Sequence, residues 1–263
     1  MNKKNFNNAL ENYLDFLKKN NIFKKKNLIN YSTSLERIEN WKSKNELKSI
    51  INWYDWVNKR NKAKIKRIKL DKMNKWNFDH ENGFYFHESK SFFRIEGYRT
   101  LNASREVKQW DQPFITQVGY IGGIIGLIRK KINGLPHYLT EAKFEPGNYN
   151  KIQISPSVQA TYSNLNRIHQ GKKNKILKHL LKSETLVKKL QSEDGGRFMN
   201  KRNLHWIVET DKEIETNQKF KWLTLWEIKK LSRLKSIVSP HLRSIMSLIK
   251  LNYEIKNWSY WIW

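Results

Sequence analysis

Apolar positions near both ends of the chain recur at intervals of three and four residues. This spacing puts apolar side chains on one face of a helix, so it predicts amphipathic helices. The predicted helices cover residues 5–20, 34–59, 176–190, 223–234 and 240–249. Ser34 stands where the second of them would begin and is a favourable N-cap residue. The lysine-rich residues 24–30 before it indicate a solvated linker.

The middle of the chain has the pattern of paired strands instead. Residues 63–70 alternate loosely between apolar and polar, and apolar segments flank both Asn82-Gly83 and Asn133-Gly134. Asn-Gly is a strong hairpin signal, and such turns are too short to cross over between parallel strands. We therefore expect an α+β domain in which helices flank a sheet of mostly antiparallel strands.

One predicted hairpin carries a group of polar side chains. Alternation along residues 135–145 assigns Tyr138, Thr140, Ala142 and Phe144 to the core face. The opposite face receives His137, Leu139, Glu141, Lys143 and Glu145, and the returning strand adds Gln153. Two carboxylates beside a lysine shift one another's pKa when they are partly enclosed. An exposed strand with alternating charges would have the same spacing, so the pattern alone leaves both interpretations open.

Two polar segments after this hairpin favour a binding site. Residues 156–171 are rich in hydrogen-bonding side chains but not in charge, as a carbohydrate or nucleotide pocket would be. They include Gln159, Tyr162, Arg167 and His169. Further along, Gly195-Gly196 permits a close approach of the backbone. Nearby are three cations that could bind phosphates: Arg197, Lys201 and Arg202.

The charge of the chain raises a competing hypothesis. Lys and Arg number 51 against 24 Asp and Glu, so the formal net charge is +27. A strongly basic chain can bind nucleic acid, but 39 of these cations are lysine, which lacks the bidentate fork of arginine. We interpret the excess as a solvated lysine-rich surface, and we expect no nucleic-acid partner. Aromatic residues make up 13% of the chain, which argues against disorder.

Composition also excludes several classes of site. The chain has no cysteine, so disulfides, iron–sulfur clusters, thiolate zinc sites and a cysteine nucleophile are ruled out. The longest apolar run, residues 121–128, is far shorter than the roughly 20 residues of a membrane span. The basic first residues lack the apolar stretch of a secretory signal. We expect a cytoplasmic protein with no membrane partner.

Several strings in the chain are similar to those of a known enzyme family. The most specific are Glu141-Ala-Lys-Phe-Glu-Pro-Gly-Asn148 and Gln153-Ile-Ser-Pro-Ser-Val-Gln-Ala-Thr161, and shorter ones are Phe92–Gly97, Gln191-Ser-Glu193 and Lys201-Arg-Asn203. In order and spacing they resemble the NDP-hexose 2,3-dehydratases, from about Trp53 to Leu248. The resemblance implies a Nudix-like α+β fold, with a mixed or antiparallel sheet flanked by helices, but without Nudix chemistry. The chain indeed lacks the Nudix sequence box.

The resemblance also implies an activity. Family members act on a dTDP-linked 4-keto-6-deoxyhexose, removing the proton on carbon 3 and the hydroxyl on carbon 2 to give a 3,4-diketo-2,6-dideoxy sugar. No redox step occurs, so neither a cofactor nor a metal is expected. The alternatives are a sugar-nucleotide-binding module without catalysis and, more weakly, a nucleic-acid binder.

The same resemblance suggests an organisation. Typical members are similar to two tandem copies of the module, whereas this chain has one, so we expect a homodimer. Residues 1–50 would form an N-terminal helical extension, residues 51–250 the module, and residues 251–263 an aromatic C-terminal tail.

Roles follow for individual residues. We expect Glu145 as the base, Lys143 or His169 as the acid or oxyanion stabiliser, and Tyr162 as a second proton donor. Glu145 could instead serve only as a salt-bridge partner of Lys143, and His169 only as a loop anchor. The other expected substrate contacts are Arg167, Lys201 and Arg202 for the diphosphate, Trp110 or Tyr120 for the nucleobase, and Gln117, Glu141, Asn148, Gln153, Gln159 and Arg197.

Overall fold

Three helices open the chain. The computed structural model describes residues 5–38, 41, 46–104, 108–119, 122–165 and 175–249. Its first helices are α1 (Phe6–Lys19), α2 (Leu28–Ile38) and α3 (Leu47–Arg60). Asn5 caps α1 by accepting a hydrogen bond from the backbone N–H of Asn7 at 3.0 Å, a favourable start for a helix.

The sequence-based boundaries of the second helix were wrong. Residues 34–59 form two helices rather than one, and α2 begins at Leu28, inside the segment predicted to be a linker. Ser34 is a fully buried residue within α2, not an N-cap. The reason is tertiary burial, because Tyr31 and Leu35 of α2 pack in one cluster with Tyr13 and Leu17 of α1. That contact stabilises α2, although the polar pattern of this segment does not predict a helix.

A small antiparallel sheet follows. Its strands β1 (Trp76–Asp79), β2 (Phe84–His87), β3 (Phe93–Thr100) and β4 (Trp110–Gln117) lie in sequence order. The predicted hairpin at Asn82-Gly83 is confirmed, and Gly83 has a φ of +72°. The strand expected at residues 63–70 was wrong. Within the described chain these residues join no sheet, and Ile65 and Ile68 are more than half exposed, so no burial stabilises strand pairing there.

The larger sheet has seven strands. They are β5 (Gly123–Ile132), β6 (Leu135–Phe144), β7 (Ile152–Pro156), β8 (Val158–Thr161), β9 (Glu184–Ser192), β10 (Arg202–Glu209) and β11 (Phe220–Leu223). The main path is β11-β6-β5-β10-β9. β5 and β6 pair next to the Asn133-Gly134 turn, which is confirmed, and both turn residues have positive φ.

The sheet splits away from that turn. β7 pairs with the far half of β6, and β8 pairs with the first residues of β5. β5 and β6 therefore separate there, and β7 and β8 lie between them. The end of β8 lies beside Gly123. The pair β5–β10 is parallel, so the larger sheet is mixed, as the expected fold class allows. The chain that links these two strands contains four others, β6 to β9.

Helices cover both faces of the larger sheet. α3, α6 (Leu225–Leu231) and α7 (Pro240–Ser247) pack with Leu127 and Ile207 on one face. The one-turn helix α4 (Tyr162–Leu165) follows β8, and α5 (Lys175–Lys182) packs on the other face with Ile128 and Val208. The predicted helices at 223–234 and 240–249 are confirmed, with shorter bounds. The α+β class is confirmed as well, while the Nudix-like assignment stays a prediction.

The helix predicted at residues 176–190 was half wrong. α5 ends at Lys182, and Glu184–Ser192 form β9, the edge strand that pairs with β10. Leu186 and Val187 pack on the core while the lysines that follow stay exposed. Pairing with β10 therefore overrides the helical spacing of these residues.

A buried ionic network ties the N-terminal helices to this sheet. The guanidinium of Arg129, on β5, is fully buried and donates to Glu36 on α2 at 2.6 Å and to Glu209 on β10 at 2.6 Å. Tyr138 also donates to Glu36 at 3.0 Å. Burial opposes the charge, but the two carboxylates outweigh it and raise the pKa of Arg129. Because an unpaired buried charge is very costly, α2 is an integral part of the packed structure.

None of the helices in the described ranges combines the length and the apolar character needed to cross a bilayer.

Candidate functional site

The predicted hairpin of β6 and β7 is confirmed, but only the end of its polar face is open to water, because His137 and Leu139 on that face are buried. In the β6–β7 pair Lys143 lies opposite Gln153 and Glu141 opposite Ser155. The ammonium of Lys143 lies 2.9 Å from the carboxylate of Glu145, to which the amide of Gln159 donates at 3.3 Å. We call Glu141, Lys143, Glu145, Gln153 and Gln159 the strand-face cluster. The side chain of Glu145 is 41% exposed, so water screens this ion pair.

Other predicted residues of this hairpin have structural partners. The amide of Gln153 donates to the carbonyl of Ser236 at 2.9 Å and fixes the segment that precedes α7. Asn148 donates to the carbonyl of Lys151 at 3.2 Å within the turn. Burial raises the pKa of Glu141, although Lys143 and Lys219 act in the opposite direction. Glu141 is thus the most desolvated carboxylate of the cluster.

A second polar group lies where β9 ends and β10 begins. We call it the β9–β10 cluster, and it consists of Gln191, Glu193, Lys201, Asn203, His205, His241 and Ser244. The first five come from the two strands and their connection, and the last two from α7. Three elements that are distant in sequence therefore converge on one polar site.

Glu193 and His241 form the centre of the β9–β10 cluster. The Nε2 atom of His241 lies 3.2 Å from the carboxylate of Glu193, which also accepts a hydrogen bond from the amide of Asn203. The hydrogen bond with His241 is the main cause that lowers the pKa of Glu193, against the effect of burial. The imidazole of His241 is 30% exposed, so a ligand in solution can reach it.

Lys201 lies beside this pair in an aromatic setting. Its ammonium lies 4.7 Å from the ring centre of Phe93 and 4.8 Å from that of Phe198. Burial lowers the pKa of Lys201, while the negative charge of Glu193 opposes that shift. A lysine with a lowered pKa releases its proton more readily than a solvated one, which suits proton transfer.

His205 completes the cluster on the side of α7. Its Nδ1 lies 3.2 Å from the carbonyl of Asn203, and its Nε2 lies 3.3 Å from the hydroxyl of Ser244. That hydroxyl donates in turn to Gln191 at 3.1 Å. Burial is the main cause that lowers the pKa of His205, which favours a neutral imidazole at neutral pH.

Gly123 lets β8 approach this cluster. A Cβ atom at this position would lie 2.8 Å from the carbonyl oxygen of Ala160 and 2.8 Å from the side-chain oxygen of Asn203. Only glycine permits this contact between the start of β5, the end of β8 and β10. This close backbone approach brings the strings 153–161 and 201–203 together in space.

The small sheet closes the same region. The N–H of Ile115 on β4 donates to the carbonyl of Arg197 at 2.8 Å, and the amide of Gln112 donates to the carbonyl of Gly196 at 2.8 Å. The indole of Trp110 donates to Gln112 at 2.7 Å. Gln117, at the end of β4, lies opposite Phe93. The connection between β9 and β10 is thereby attached to the edge of β4.

The predicted phosphate-binding cations have separate positions. Arg197 forms an exposed ion pair with Asp194 at 2.6 Å inside its own loop, whereas Lys201 is buried in the cluster and Arg202 is exposed. Tyr120, Arg167 and His169 lie outside the described residues, as does the side chain of Tyr162. The structure therefore brings together Lys143, Glu145, Gln153 and Gln159 in one place and Lys201 with its new partners in another.

Only Lys201 of the β9–β10 cluster was predicted as a site residue. Gln191, Glu193 and Asn203 belong to strings that carry the resemblance but received no role, and His205, His241 and Ser244 were not noticed at all. His205 follows Asn203 by two positions and shares its face of β10, so alternation along an identified strand would have found it. His241 and Ser244 have no such local signal, because the packing of α7 alone brings them to Glu193 and His205. Across the part of the chain that the structure describes, no group of three or more His, Asp or Glu side chains could hold a metal ion.

Comparisons with known proteins agree with the placement of these strings. The sequence model of the family described as NDP-hexose 2,3-dehydratase matches residues 47–249. A dTDP-4-dehydro-6-deoxy-alpha-D-glucopyranose 2,3-dehydratase of Saccharopolyspora spinosa is 37% identical over 192 residues, which are 72% of this chain and 39% of that protein. An enzyme of the same name from Streptomyces violaceoruber is 34% identical over 199 residues, 74% of this chain and 44% of its own length. The chain thus spans about two-fifths of the length of these curated relatives.

Proposed function

The chain belongs to the NDP-hexose 2,3-dehydratase family, and from this premise we propose that it eliminates water from an NDP-4-keto-6-deoxyhexose. The substrate we propose is dTDP-linked, as in the names of the relatives. The single observation that carries the proposal is the β9–β10 cluster. It places an exposed imidazole, a carboxylate and a desolvated lysine together, at the point where the family strings meet.

The reaction needs one base and one acid. The ketone at carbon 4 acidifies the hydrogen on carbon 3, so a positioned base can remove it. The electron pair of that C–H bond forms a double bond between carbons 2 and 3, and the C–O bond at carbon 2 breaks. The leaving hydroxyl takes a proton from the acid and departs as water. The resulting enol gains a proton at carbon 2, loses the proton of its hydroxyl on carbon 3 and becomes the 3,4-diketo sugar.

His241 is the proposed base. Its Nε2 faces the carboxylate of Glu193 at 3.2 Å, so Glu193 orients the imidazole and stabilises the imidazolium that forms when the proton is taken up. A base held by a third group in this way is a recurring arrangement in catalysis. Glu193 is then a positioning residue, since Asn203 and His241 already occupy its oxygen.

Lys201 is the proposed acid. Its lowered pKa favours donation of a proton to the leaving hydroxyl or to the oxyanion that develops on the ketone oxygen. The rings of Phe93 and Phe198 hold the ammonium in place and leave its protons available for transfer. His205 helps to hold the cluster together, because its ring contacts the hydroxyl of Ser244 and the carbonyl of Asn203.

The assignment made from the sequence remains the second candidate. In it Glu145 is the base, Lys143 or His169 the acid or oxyanion stabiliser, and Tyr162 a second proton donor. Its diphosphate ligands are Arg167, Lys201 and Arg202. Its support is the close Lys143–Glu145–Gln159 arrangement. Its weakness is the exposure of Glu145, because water screens the Lys143–Glu145 pair and competes with a substrate for the carboxylate.

We also propose that two copies associate as a homodimer in the cytoplasm. The support is the length of the relatives, which is more than twice the matched region. Light scattering coupled to size exclusion would give about twice the 31.7 kDa mass of the chain if this is right, and the mass of a monomer would contradict it.

The experiment is incubation with dTDP-4-keto-6-deoxyglucose in deuterated water, followed by mass spectrometry. Loss of water with uptake of deuterium at carbon 2 would support the elimination. Solvent exchange at carbon 3 without loss of water would mean that the base acts without an acid. Binding of the substrate with no change in its mass would instead favour the alternative, a sugar-nucleotide-binding module.

A further inference from the structure

The small sheet β1–β4 has no buried core. No side chain is buried in residues 58–104 and 108–119, the described segments that contain this sheet. Its strands nevertheless carry many aromatic residues, which are Trp76, Phe78, Phe84, Tyr85, Phe86, Phe93, Tyr98, Trp110 and Phe114. Aromatic side chains contribute most when they are buried, and an antiparallel sheet normally packs one face on a core. The described chain thus covers the apolar surface of this sheet only in part.

A row of apolar side chains crosses one face of the small sheet. Phe78 on β1 lies opposite Tyr85 on β2, which lies opposite Ile95 on β3. Ile95 lies opposite Ile115 on β4, and Phe198 extends the line through a parallel bridge with Ile115. Because residues that lie opposite each other share a face of the sheet, these five side chains are neighbours. We call them the apolar row.

The apolar row is most exposed at the edge of the sheet. Phe78 is 40% exposed, and within the described chain its strand β1 pairs with β2 alone. β1 contains no lysine. By contrast β9, an edge strand of the larger sheet, has the exposed residues Lys188 and Lys189, and lysines at an edge hinder association with another chain. The edge of the small sheet lacks this protection.

The small sheet is also nearly neutral in a strongly basic protein. Residues 76–117 contain six acidic and five basic residues, a net charge of −1, whereas the whole chain carries +27. Two copies of a chain with this charge repel each other, and the repulsion is weakest where the local charge is close to zero. Charge therefore favours this sheet as the place where two copies can meet.

We propose that a second copy of this chain docks on the apolar row, with the two rows facing each other across a two-fold axis. A two-fold contact pairs a surface with itself. An apolar and nearly neutral surface tolerates such a contact, whereas a strongly cationic one does not. The proposal rests on the homodimer proposed above, whose support is the length of the relatives, and it identifies the surface of that dimer.

The proposed interface borders the β9–β10 cluster. The ring centre of Phe198, a member of the apolar row, lies 4.8 Å from the ammonium of Lys201. The backbone of Ile115 is bonded to the same connection, because its N–H donates to the carbonyl of Arg197 at 2.8 Å and its carbonyl accepts from the N–H of Met199 at 3.2 Å. A second copy on the apolar row therefore also contacts the segment that precedes the proposed acid.

The test is sedimentation velocity of the full chain over a dilution series, on the wild type and two variants. Phe78→Lys should raise the dissociation constant of the dimer about 100-fold or more, because the two-fold contact would bring two added ammonium groups into an apolar interface. The matched control is Leu190→Lys on the edge strand β9, where a side chain that is 54% exposed receives the same charge. It should leave the dissociation constant almost unchanged.

A second measurement avoids the added charge. The chain has no cysteine, so Phe78→Cys and Leu190→Cys each introduce a single thiol. In the dimer the thiol at position 78 should react with a maleimide several-fold more slowly than the thiol at position 190. Dilution below the dissociation constant should restore its rate. A melting curve by circular dichroism checks the fold of each variant, and the thiol pair decides if Phe78→Lys does not fold.

Three results would overturn the proposal. The first is a wild type that is a monomer at every concentration. The second is a folded Phe78→Lys variant whose dimer is no weaker than that of Leu190→Lys. The third is a thiol at position 78 that reacts as fast in the dimer as at high dilution.

The same samples distinguish this proposal from the proposed function. A dimer that Phe78→Lys dissociates, in a protein without turnover of the keto sugar, would contradict the dehydratase and support the interface. Turnover by a wild-type monomer would do the reverse. A dimer that persists in Phe78→Lys would contradict the apolar row as its surface and leave the homodimer itself intact.

Discussion

The strand-face cluster and the β9–β10 cluster contain similar residue types but differ in how they are built. Lys143 and Glu145 lie two positions apart on one strand, and the carboxylate is 41% exposed. Glu193 and His241 come from a strand end and a helix, and their side chains are 19% and 30% exposed. Local pairing leaves Glu145 open to water, whereas convergence of distant elements withdraws Glu193 from water and gives it the hydrogen bond with His241 that lowers its pKa. The proton transfer that we propose uses the second arrangement.

The largest expected effect separates the two clusters directly. Replacement of the proposed base by His241→Gln should lower kcat by about 10² to 10⁴, whereas Glu145→Gln should lower it less than tenfold. The measurement is the rate of water loss from the keto sugar, with circular dichroism as the check on folding. The assignment made from the sequence predicts the reverse order, so a larger loss in Glu145→Gln would decide for it.

The next effect tests whether Glu193 positions the imidazole. Glu193→Gln removes a charged hydrogen-bond partner and should lower kcat about 10- to 100-fold. Glu193→Asp keeps the carboxylate and should recover part of that loss. A purely structural role would instead give equal losses in both variants and a matching fall in the melting temperature.

A smaller effect concerns pH. If the ammonium of Lys201 is the acid, activity falls on the alkaline side as that group loses its proton. Because burial lowers the pKa of Lys201, this limb of the pH–rate profile should lie below the ordinary lysine value of 10.5. Lys201→Arg, which stays protonated, should have reduced activity and should lack that limb. An alkaline limb that persists at the same pH in Lys201→Arg would assign it to another group.

The smallest effect is on stability. Glu145→Gln should lower the free energy of unfolding by less than about 1 kcal/mol, because half-exposed ion pairs contribute little. Glu193→Gln should cost about 1 to 3 kcal/mol, since it disrupts hydrogen bonds of a largely buried carboxylate. Denaturant titration of both variants gives the two values, and equal costs would mean that the two clusters are equally solvated.

Sequence reasoning found the hairpins better than the helices that pack on them. Asn133-Gly134 and the return from Phe144 to Ile152 could be predicted because turn residues and alternation are local properties. α2 and β9 could not be predicted in this way. Contact with α1 stabilises α2, and pairing with β10 makes β9 a strand, in each case against the local sequence pattern. At the candidate site, Lys201 and Glu193 were within strings noticed from the sequence. His241 lies 48 residues from Glu193 and had no signal.

The sequence by itself determined the family, the antiparallel hairpins and the local starts of helices such as α6, where Thr224 and Glu227 form a capping box. Each depends on residues a few positions apart. The tertiary structure alone decided the parallel pairing of β5 with β10, the burial of Arg129 against Glu36 and Glu209, and the meeting of His241 with Glu193. These contacts join segments that are distant in sequence. They form because the chain buries apolar residues on both faces of one sheet, and that burial depends on the whole chain rather than on any short segment of it.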